Sequence, residues 1–154
     1  MNSKRLILVL LALFLAIGLV ACGKEKEKEE SKVLEGELSP NVQTTLTLYH
    51  KGDQLTGMTQ VHHIEYKYTQ FLDADDAKAK VEPTIANVGK IEGYSEKVEY
   101  KDKFMVSTVK IDFTKMKTED MKKIPGLVVD GDTEKGLSYE KTLESYKSQG
   151  LKEK

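Results

Sequence analysis

An apolar segment near the first residue, followed by the chain's single cysteine, most constrains how this sequence can fold. Leu6 to Ile17 is an unbroken run of twelve apolar residues, preceded by Lys4 and Arg5 and followed closely by Cys22. A helix that crosses a bilayer needs about 20 apolar residues, and this run is shorter and meets a dense group of charges soon after it ends. A basic start followed by a short apolar run is typical of a secretory signal. We therefore expect a cleaved signal rather than a permanent membrane span.

The residues before the cysteine indicate which kind of signal this is. Leu19-Val20-Ala21-Cys22 resembles the lipobox of bacterial lipoproteins, which has leucine, a free position, a small residue and then cysteine. The resemblance implies that a peptidase recognises Leu19 and Ala21 and cuts before Cys22, whose thiol carries a diacylglyceryl group. Two acyl chains anchor a protein stably, whereas one chain is marginal. We expect residues 1–21 to be a cleaved signal peptide and Cys22 to be the lipid attachment site. An ordinary secretory signal with an unmodified cysteine is the alternative.

The composition after the leader excludes several classes of protein. From Cys22 onward the chain has 22 Lys, no Arg and 25 Asp plus Glu, which gives a net charge of −3. Nucleic-acid binding usually needs a basic excess, so no nucleic-acid partner is expected. One cysteine cannot form an intramolecular disulfide. The absence of Arg removes the side chain best suited to bidentate phosphate recognition, which disfavours enzymes that act on phosphorylated substrates.

A highly charged segment separates the signal from the part of the chain that is expected to fold. Residues 24–32 carry eight charges, four of each sign, and contain no apolar side chain. Such a segment cannot offset the entropy of ordering by burying apolar surface. We expect residues 22–37 to be the lipidated cysteine and a flexible tether, and residues 38–154 to form one small domain.

Hydrophobic periodicity predicts the order hairpin, helix, hairpin, helix in this domain. The predicted elements are strands at 44–50 and 54–68, a helix at 73–90, strands at 97–100 and 104–113, a short helix at 118–124 and a final helix at 138–149. Pro83 either kinks the first helix or begins a second piece of it. The fold class is α+β, an antiparallel sheet built from two β-hairpins with helices packed on one face.

Three stretches in the second half also point to a known family. They are Lys97–Asp102, Val109–Lys115 and Ser138–Leu151. These stretches resemble the YehR-like family of small bacterial lipoproteins, which has no assigned activity. The resemblance implies a compact α+β domain on a lipid anchor, and it carries over no catalytic residue.

Three histidines are the first candidates for a metal site. His62 and His63 are adjacent on a predicted strand, so their side chains point to opposite faces and cannot bind one ion together. His50 pairs near Leu55 beside the hairpin turn, roughly 23 Å along the strand from His62. No metal site is therefore predicted. We expect His62 to be packed or paired and His63 to be exposed.

The remaining polar clusters have ordinary structural explanations. Residues 73–76 place three Asp at a helix start, where the helix dipole favours negative charge. Residues 130–134 lack the further ligands of a calcium loop and predict a turn. Tyr66, Tyr68 and Tyr100 lie on predicted strands, either as core residues or as an aromatic patch. Neither a nucleophile motif nor a glycine-rich phosphate loop occurs, so no catalytic residue and no cofactor is predicted.

These observations predict a non-enzymatic lipoprotein on the extracytoplasmic face of a cell membrane. It would act as a binding or interaction module, with an unidentified protein, glycan or small ligand as its partner. The alternative is a carrier or sensor with a small-ligand pocket between sheet and helices. A hydrolase is a third hypothesis, which would need convergent polar side chains with shifted pKa values. The Lys- and Glu-rich composition favours a single-membrane host, and Gly23 after the cysteine predicts the outer membrane in a two-membrane host.

Overall fold

The computed structural model describes residues 28–132 and 136–154. Its strands are β1 (Glu30–Ser39), β2 (Val42–Lys51), β3 (Gln54–Glu65), β4 (Tyr94–Tyr100), β5 (Phe104–Asp112), β6 (Gly131–Asp132), β7 (Gly136–Leu137) and β8 (Lys152–Glu153). Its helices are α1 (Ala74–Val88), α2 (Thr118–Met121) and α3 (Tyr139–Ser148), with a 3-10 turn at Tyr66–Tyr68.

Six of the strands form one antiparallel sheet in the order β4-β5-β3-β2-β1-β8. The two predicted hairpins are present as β2–β3 and β4–β5, and they are joined side by side through β3 and β5. The predicted α+β class is confirmed. Two further strands, β1 and β8, extend the sheet beyond β2.

The folded part of the chain begins earlier than the predicted boundary at residue 38. β1 pairs with β2 from Glu30 opposite His50 to Ser39 opposite Val42, and Leu34 on this strand is fully buried. Residues 30–37 therefore belong to the sheet and not to the tether. The strand was missed because Leu34 is its one fully buried side chain, so its sequence shows little apolar periodicity.

One face of the sheet carries the core, because alternate residues of neighbouring strands point the same way. Leu34, Leu46, Leu48, Met58 and Ile111 share this face and are at most 5% exposed. Both long helices cover the same face. In α3, the hydroxyl of Tyr146 accepts a hydrogen bond from the Gln60 side chain of β3.

The final helix has a defined cap at each end. Ser138 accepts the N–H of Lys141 through its hydroxyl at 3.2 Å, as the predicted N-cap. After the helix, Gly150 has a φ of +103°, and the N–H of Leu151 reaches back to the carbonyl of Tyr146 at 3.2 Å. The N–H of Gly150 donates to Lys147 O at 3.0 Å, which completes a Schellman motif.

A residue from a distant turn also holds the start of α3. Asp53, in the β2–β3 turn, accepts the Ser138 hydroxyl at 2.9 Å and the N–H of Glu140 at 2.8 Å. Its backbone carbonyl accepts the N–H of Tyr139 at 2.7 Å. The carboxylate thus sits at the positive end of the helix dipole and connects the hairpin to the helix.

The second predicted strand is shorter in the structure than in the sequence analysis. β3 ends at Glu65, and the N–H and hydroxyl of Thr69 both donate to the Tyr66 carbonyl at 2.9 Å, which closes a 3-10 turn. The predicted placement of Tyr66 and Tyr68 on a strand is therefore corrected. Tyr66 is buried, whereas Tyr68 is 55% exposed.

Candidate functional site

A cleft of about 350 Å³ lies between α1 and the core face of the sheet. Its floor is formed by side chains of β3, β4 and β5, namely Gln60, His62, Tyr94, Glu96, Val109 and Ile111. The apolar side of α1 forms one wall, and the segment 124–127 forms another. The cleft therefore combines apolar walls with a partly polar floor, as small-molecule sites usually do.

The apolar side of α1 explains why the cleft exists. Ala77, Val81, Ile85 and Val88 fall at helical spacing on one side of the helix. Ala77 alone among them is fully buried, in a cluster with Tyr66 and Met105 of the sheet end. The other three remain partly exposed and line the cleft. Part of the apolar surface of α1 thus faces the cleft, although Val81 and Val88 also pack against the two apolar clusters of the core.

The sheet beneath the cleft carries a band of polar side chains between two apolar clusters. The larger apolar cluster includes Leu46, Leu48 and Met58, and the smaller one is centred on Met105. The band consists of Thr44, Gln60, His62, Glu96 and Ser107, which share the core face of four adjacent strands. Buried polar groups are costly unless they are hydrogen-bonded, so the partners of these side chains are informative.

His62 stands at the centre of one hydrogen-bonded chain. Its Nδ1 lies 3.0 Å from the Thr44 hydroxyl, and its Nε2 lies 3.3 Å from Gln60 Oε1. Gln60 in turn donates through Nε2 to the Tyr146 hydroxyl at 2.8 Å. Burial lowers the pKa of His62 and Glu96 opposes that shift, so the ring is neutral at pH 7. Since an amide oxygen only accepts, Nε2 carries the ring proton and Nδ1 accepts from Thr44.

Glu96 forms the second chain, on the neighbouring edge strand. One carboxylate oxygen accepts the Ser107 hydroxyl at 2.8 Å, and the other accepts the Tyr94 hydroxyl at 2.7 Å. Burial, together with the hydrogen bond to Glu96, raises the pKa of Tyr94, which keeps that hydroxyl protonated as a donor. Within residues 28–132 and 136–154, no lysine or histidine forms an ion pair with Glu96.

The histidines considered for a metal site are separated in the structure. His50 stacks on Tyr139 with ring centroids 3.6 Å apart. His63 lies on the sheet face opposite to His62 and packs against Phe104 at 4.4 Å, so it is half-buried where exposure was expected. Among the described residues, no three His, Cys, Asp or Glu side chains come together as possible ligands of one ion.

The described residues of the acidic clusters have structural roles. Asp73 caps α1 by accepting the N–H of Asp76 at 2.9 Å. The Lys80 ammonium and the Leu72 N–H hold the pKa of Asp76 below its usual range. The predicted turn at 130–134 lies partly outside the described residues.

The predicted lipidation signal, with Leu19, Ala21 and Cys22, lies entirely outside the described residues. In the part of the chain that is described, no helix has the length and apolar character needed to cross a membrane.

Glu96, Gln60 and Ser107 were not predicted as site residues from the sequence. Their signal is nevertheless present in the strand pattern. On β4, Tyr94, Glu96, Val98 and Tyr100 alternate on the core side, and Glu96 is the one charged member. The alternation of β4 assigns Glu96 to the core side, so a charged residue at a core position is the signal that could have identified it.

Comparisons with known proteins agree on one family. A model of a family described as a protein of unknown function (DUF1307) matches residues 30–152, beginning at the first residue of β1. An uncharacterized lipoprotein of Listeria monocytogenes is 40% identical over 146 residues, which cover 94% of this chain and 92% of the relative. One from Listeria innocua is 38% identical over the same shares of the two chains.

Two solved structures share the fold. The NMR structure of the Escherichia coli YehR protein matches with a TM-score of 0.71 and 28% identity, covering 84% of this chain and 93% of that one. The NMR structure of a Streptococcus pneumoniae TIGR4 protein matches with a TM-score of 0.56 over 88% and 90% of the two chains, at 14% identity. The first likeness and the family match confirm the predicted resemblance to YehR-like proteins.

Proposed function

The chain belongs to the DUF1307 family of proteins of unknown function, and from this premise we propose that it is a membrane-anchored, extracytoplasmic lipoprotein that binds a small ligand without transforming it. The single observation that carries the binding role is the cleft between α1 and the sheet. Its apolar walls are incompletely buried, and its polar floor is ordered by hydrogen bonds.

The anchor is supported by the sequence and by the relatives. The residues before Cys22 match the lipobox order, and both Listeria relatives are called lipoproteins. Lipidation at Cys22 would hold the domain outside the membrane. The lysine-only composition of the mature part favours the cell membrane of a single-membrane host.

A carrier or sensor fits the cleft better than an enzyme does. Both ring nitrogens of His62 are occupied by Thr44 and Gln60, and its pKa is lowered by burial. Both oxygens of Glu96 accept hydroxyl donors of the protein. A general base needs an accessible lone pair aimed at the substrate, and neither ring nitrogen of His62 offers one.

A surface interaction module is the second candidate, and a different observation favours it. Tyr68 and Leu72 are the large apolar side chains that stand most exposed among the described residues, at 55% and 86%. They lie close together in the segment between β3 and α1. A protein partner that used them would bind at this segment and not in the cleft.

Mass spectrometry of the protein recovered from membranes tests the anchor. The expected N-terminal peptide starts at Cys22 and carries two acyl chains, and Cys22→Ser should release the protein from the membrane fraction. An unmodified Cys22 thiol, or cleavage at another position, would contradict the proposal.

Titration with the neutral fluorescent probe N-phenyl-1-naphthylamine tests the cleft. The protein for this experiment is residues 22–154 with Cys22→Ser, which includes the whole part of the chain that the structure describes. We expect saturable binding of one probe, abolished by Val81→Trp, which fills the cleft. Ala79→Trp, at an exposed position of the same helix, is the matched control and should bind normally. Equal binding by both variants, or none by the parent, would refute a ligand-binding cleft.

A further inference from the structure

The charge balance of the cleft narrows the kind of ligand it can hold. The ligand chemistry inferred below rests on the proposed binding role of the cleft. Glu96 lies on the floor, and its carboxylate receives one hydroxyl donor on each oxygen. An ionised carboxylate has about four acceptor positions, so Ser107 and Tyr94 leave acceptor capacity on both oxygens.

No cation of the described chain neutralises this carboxylate. Lys80 is the lysine that borders the cleft, and its ammonium pairs with Asp76 at 2.8 Å on the helix surface. His62, the other basic group on the floor, is held neutral by burial. A partly buried charge is costly unless it is paired, and the two hydroxyl donors stabilise the carboxylate by hydrogen bonds but bring no positive charge.

The walls specify the rest of the ligand. Val81, Ile85 and Val88 of α1 face the floor, and Ile124 and Leu127 close the far side. These side chains offer no hydrogen bonds, so the part of the ligand beneath α1 must be apolar. The volume of about 350 Å³ is at the small end of ligand sites, which span roughly 300–1,000 Å³.

We infer that the cleft binds a small amphipathic amine, with its ammonium group on Glu96 and its apolar body beneath α1. The ammonium would donate to the free acceptor positions of the carboxylate and supply the missing positive charge. An amphipathic acid such as a fatty acid would place like charge beside Glu96 and is disfavoured. A neutral molecule of the same shape would fill the walls but leave the charge uncompensated.

Three probes that share one apolar body test this assignment by calorimetry at pH 7. They are 4-phenylbutylamine, 4-phenylbutanol and 4-phenylbutyrate, titrated into residues 22–154 with Cys22→Ser. The amine should bind at least about tenfold more tightly than the alcohol, because its ammonium adds an attraction between opposite charges that the hydroxyl lacks. The acid should bind most weakly. This comparison needs no variant in the cleft and so does not depend on how a substitution folds.

Glu96→Gln then locates the preference. It should lower the affinity for the amine to that for the alcohol, because an amide carries no charge to attract the ammonium. Glu99→Gln is the matched control, because Glu99 lies on the opposite face of the same strand and pairs with Lys97 and Lys101. Equal binding of amine and alcohol by the parent, or a preference that survives Glu96→Gln, would overturn the amine assignment alone. Failure of all three probes to bind would overturn the binding role as well.

Discussion

Leu34→Ala is the substitution that most directly tests where the folded domain begins. Leu34 is fully buried and pairs across the sheet with Leu46, which is also fully buried. Replacing a buried Leu with Ala costs about 2–5 kcal/mol, which combines the lost transfer free energy with the cavity left behind. Because β8, Leu151 and α3 enclose this position, little collapse is available, and we expect about 3 kcal/mol.

The assay is urea unfolding of residues 22–154 with Cys22→Ser, with the unfolding transition monitored by circular dichroism. Urea m-values for small proteins are about 1–3 kcal/mol/M, so the midpoint should fall by roughly 1–3 M. Val33→Ala is the matched control, because Val33 is the preceding residue and points to the open, partly exposed face. Its effect should stay below about 1 kcal/mol.

A truncation gives the second half of this test. A chain that starts at residue 30 retains β1 and should unfold with a normal midpoint. A chain that starts at residue 38 loses most of β1 and exposes the pairing edge of β2, so it should not fold cooperatively. A change of less than about 0.5 kcal/mol for Leu34→Ala, or a normal midpoint for the shorter chain, would refute the assignment of β1 to the domain.

Three further changes test the contacts around the helices and the polar band. Asp53→Ala should cost about 1–2 kcal/mol in urea unfolding, because it removes the acceptor for the Ser138 hydroxyl at the start of α3. Tyr146→Phe should cost about 1–3 kcal/mol in the same assay, because it leaves the buried Gln60 amide without its oxygen partner. The lowered pKa of His62 means that the unfolded chain takes up a proton before the folded one. Stability should therefore be complete above about pH 6.5 and fall as the pH drops below that value, and His62→Gln should flatten this part of the pH profile. An unchanged profile for His62→Gln would contradict a neutral, partly buried ring.

The elements found from the sequence are those whose signals are local. Ser138 and Gly150 mark the ends of α3 through side-chain capping and a positive φ, and both features depend on neighbouring residues alone. The two hairpins were likewise predicted, since alternation and turn residues lie within each pair of strands. These capping, alternation and turn signals do not depend on contacts with distant parts of the chain.

The features that could not be predicted from the sequence depend on contacts between residues far apart in the chain. β1 is recognisable as a strand only because β2 and β8 flank Leu34, and β8 itself is a two-residue strand near the end of the chain. The cleft depends on how α1 packs on the sheet, with Ala77 fully buried and Val81, Ile85 and Val88 only partly buried. Glu96 becomes notable only when the register places it beside Ser107 and the floor of that cleft.

The early start of β1 also sets how the domain can be oriented above a bilayer. Glu30 lies beside His50 at the turn end of the sheet, and the chain from a lipidated Cys22 to Glu30 can extend at most about 29 Å. The twelve residues of β3 run from that end to Glu65, a distance of about 36 Å, and Tyr68 and Leu72 follow there. The linker between Cys22 and Glu30 is thus shorter than the length of the domain along β3. The domain could tilt or lie flat on the membrane, but it could not stand upright with its Leu72 end against the bilayer.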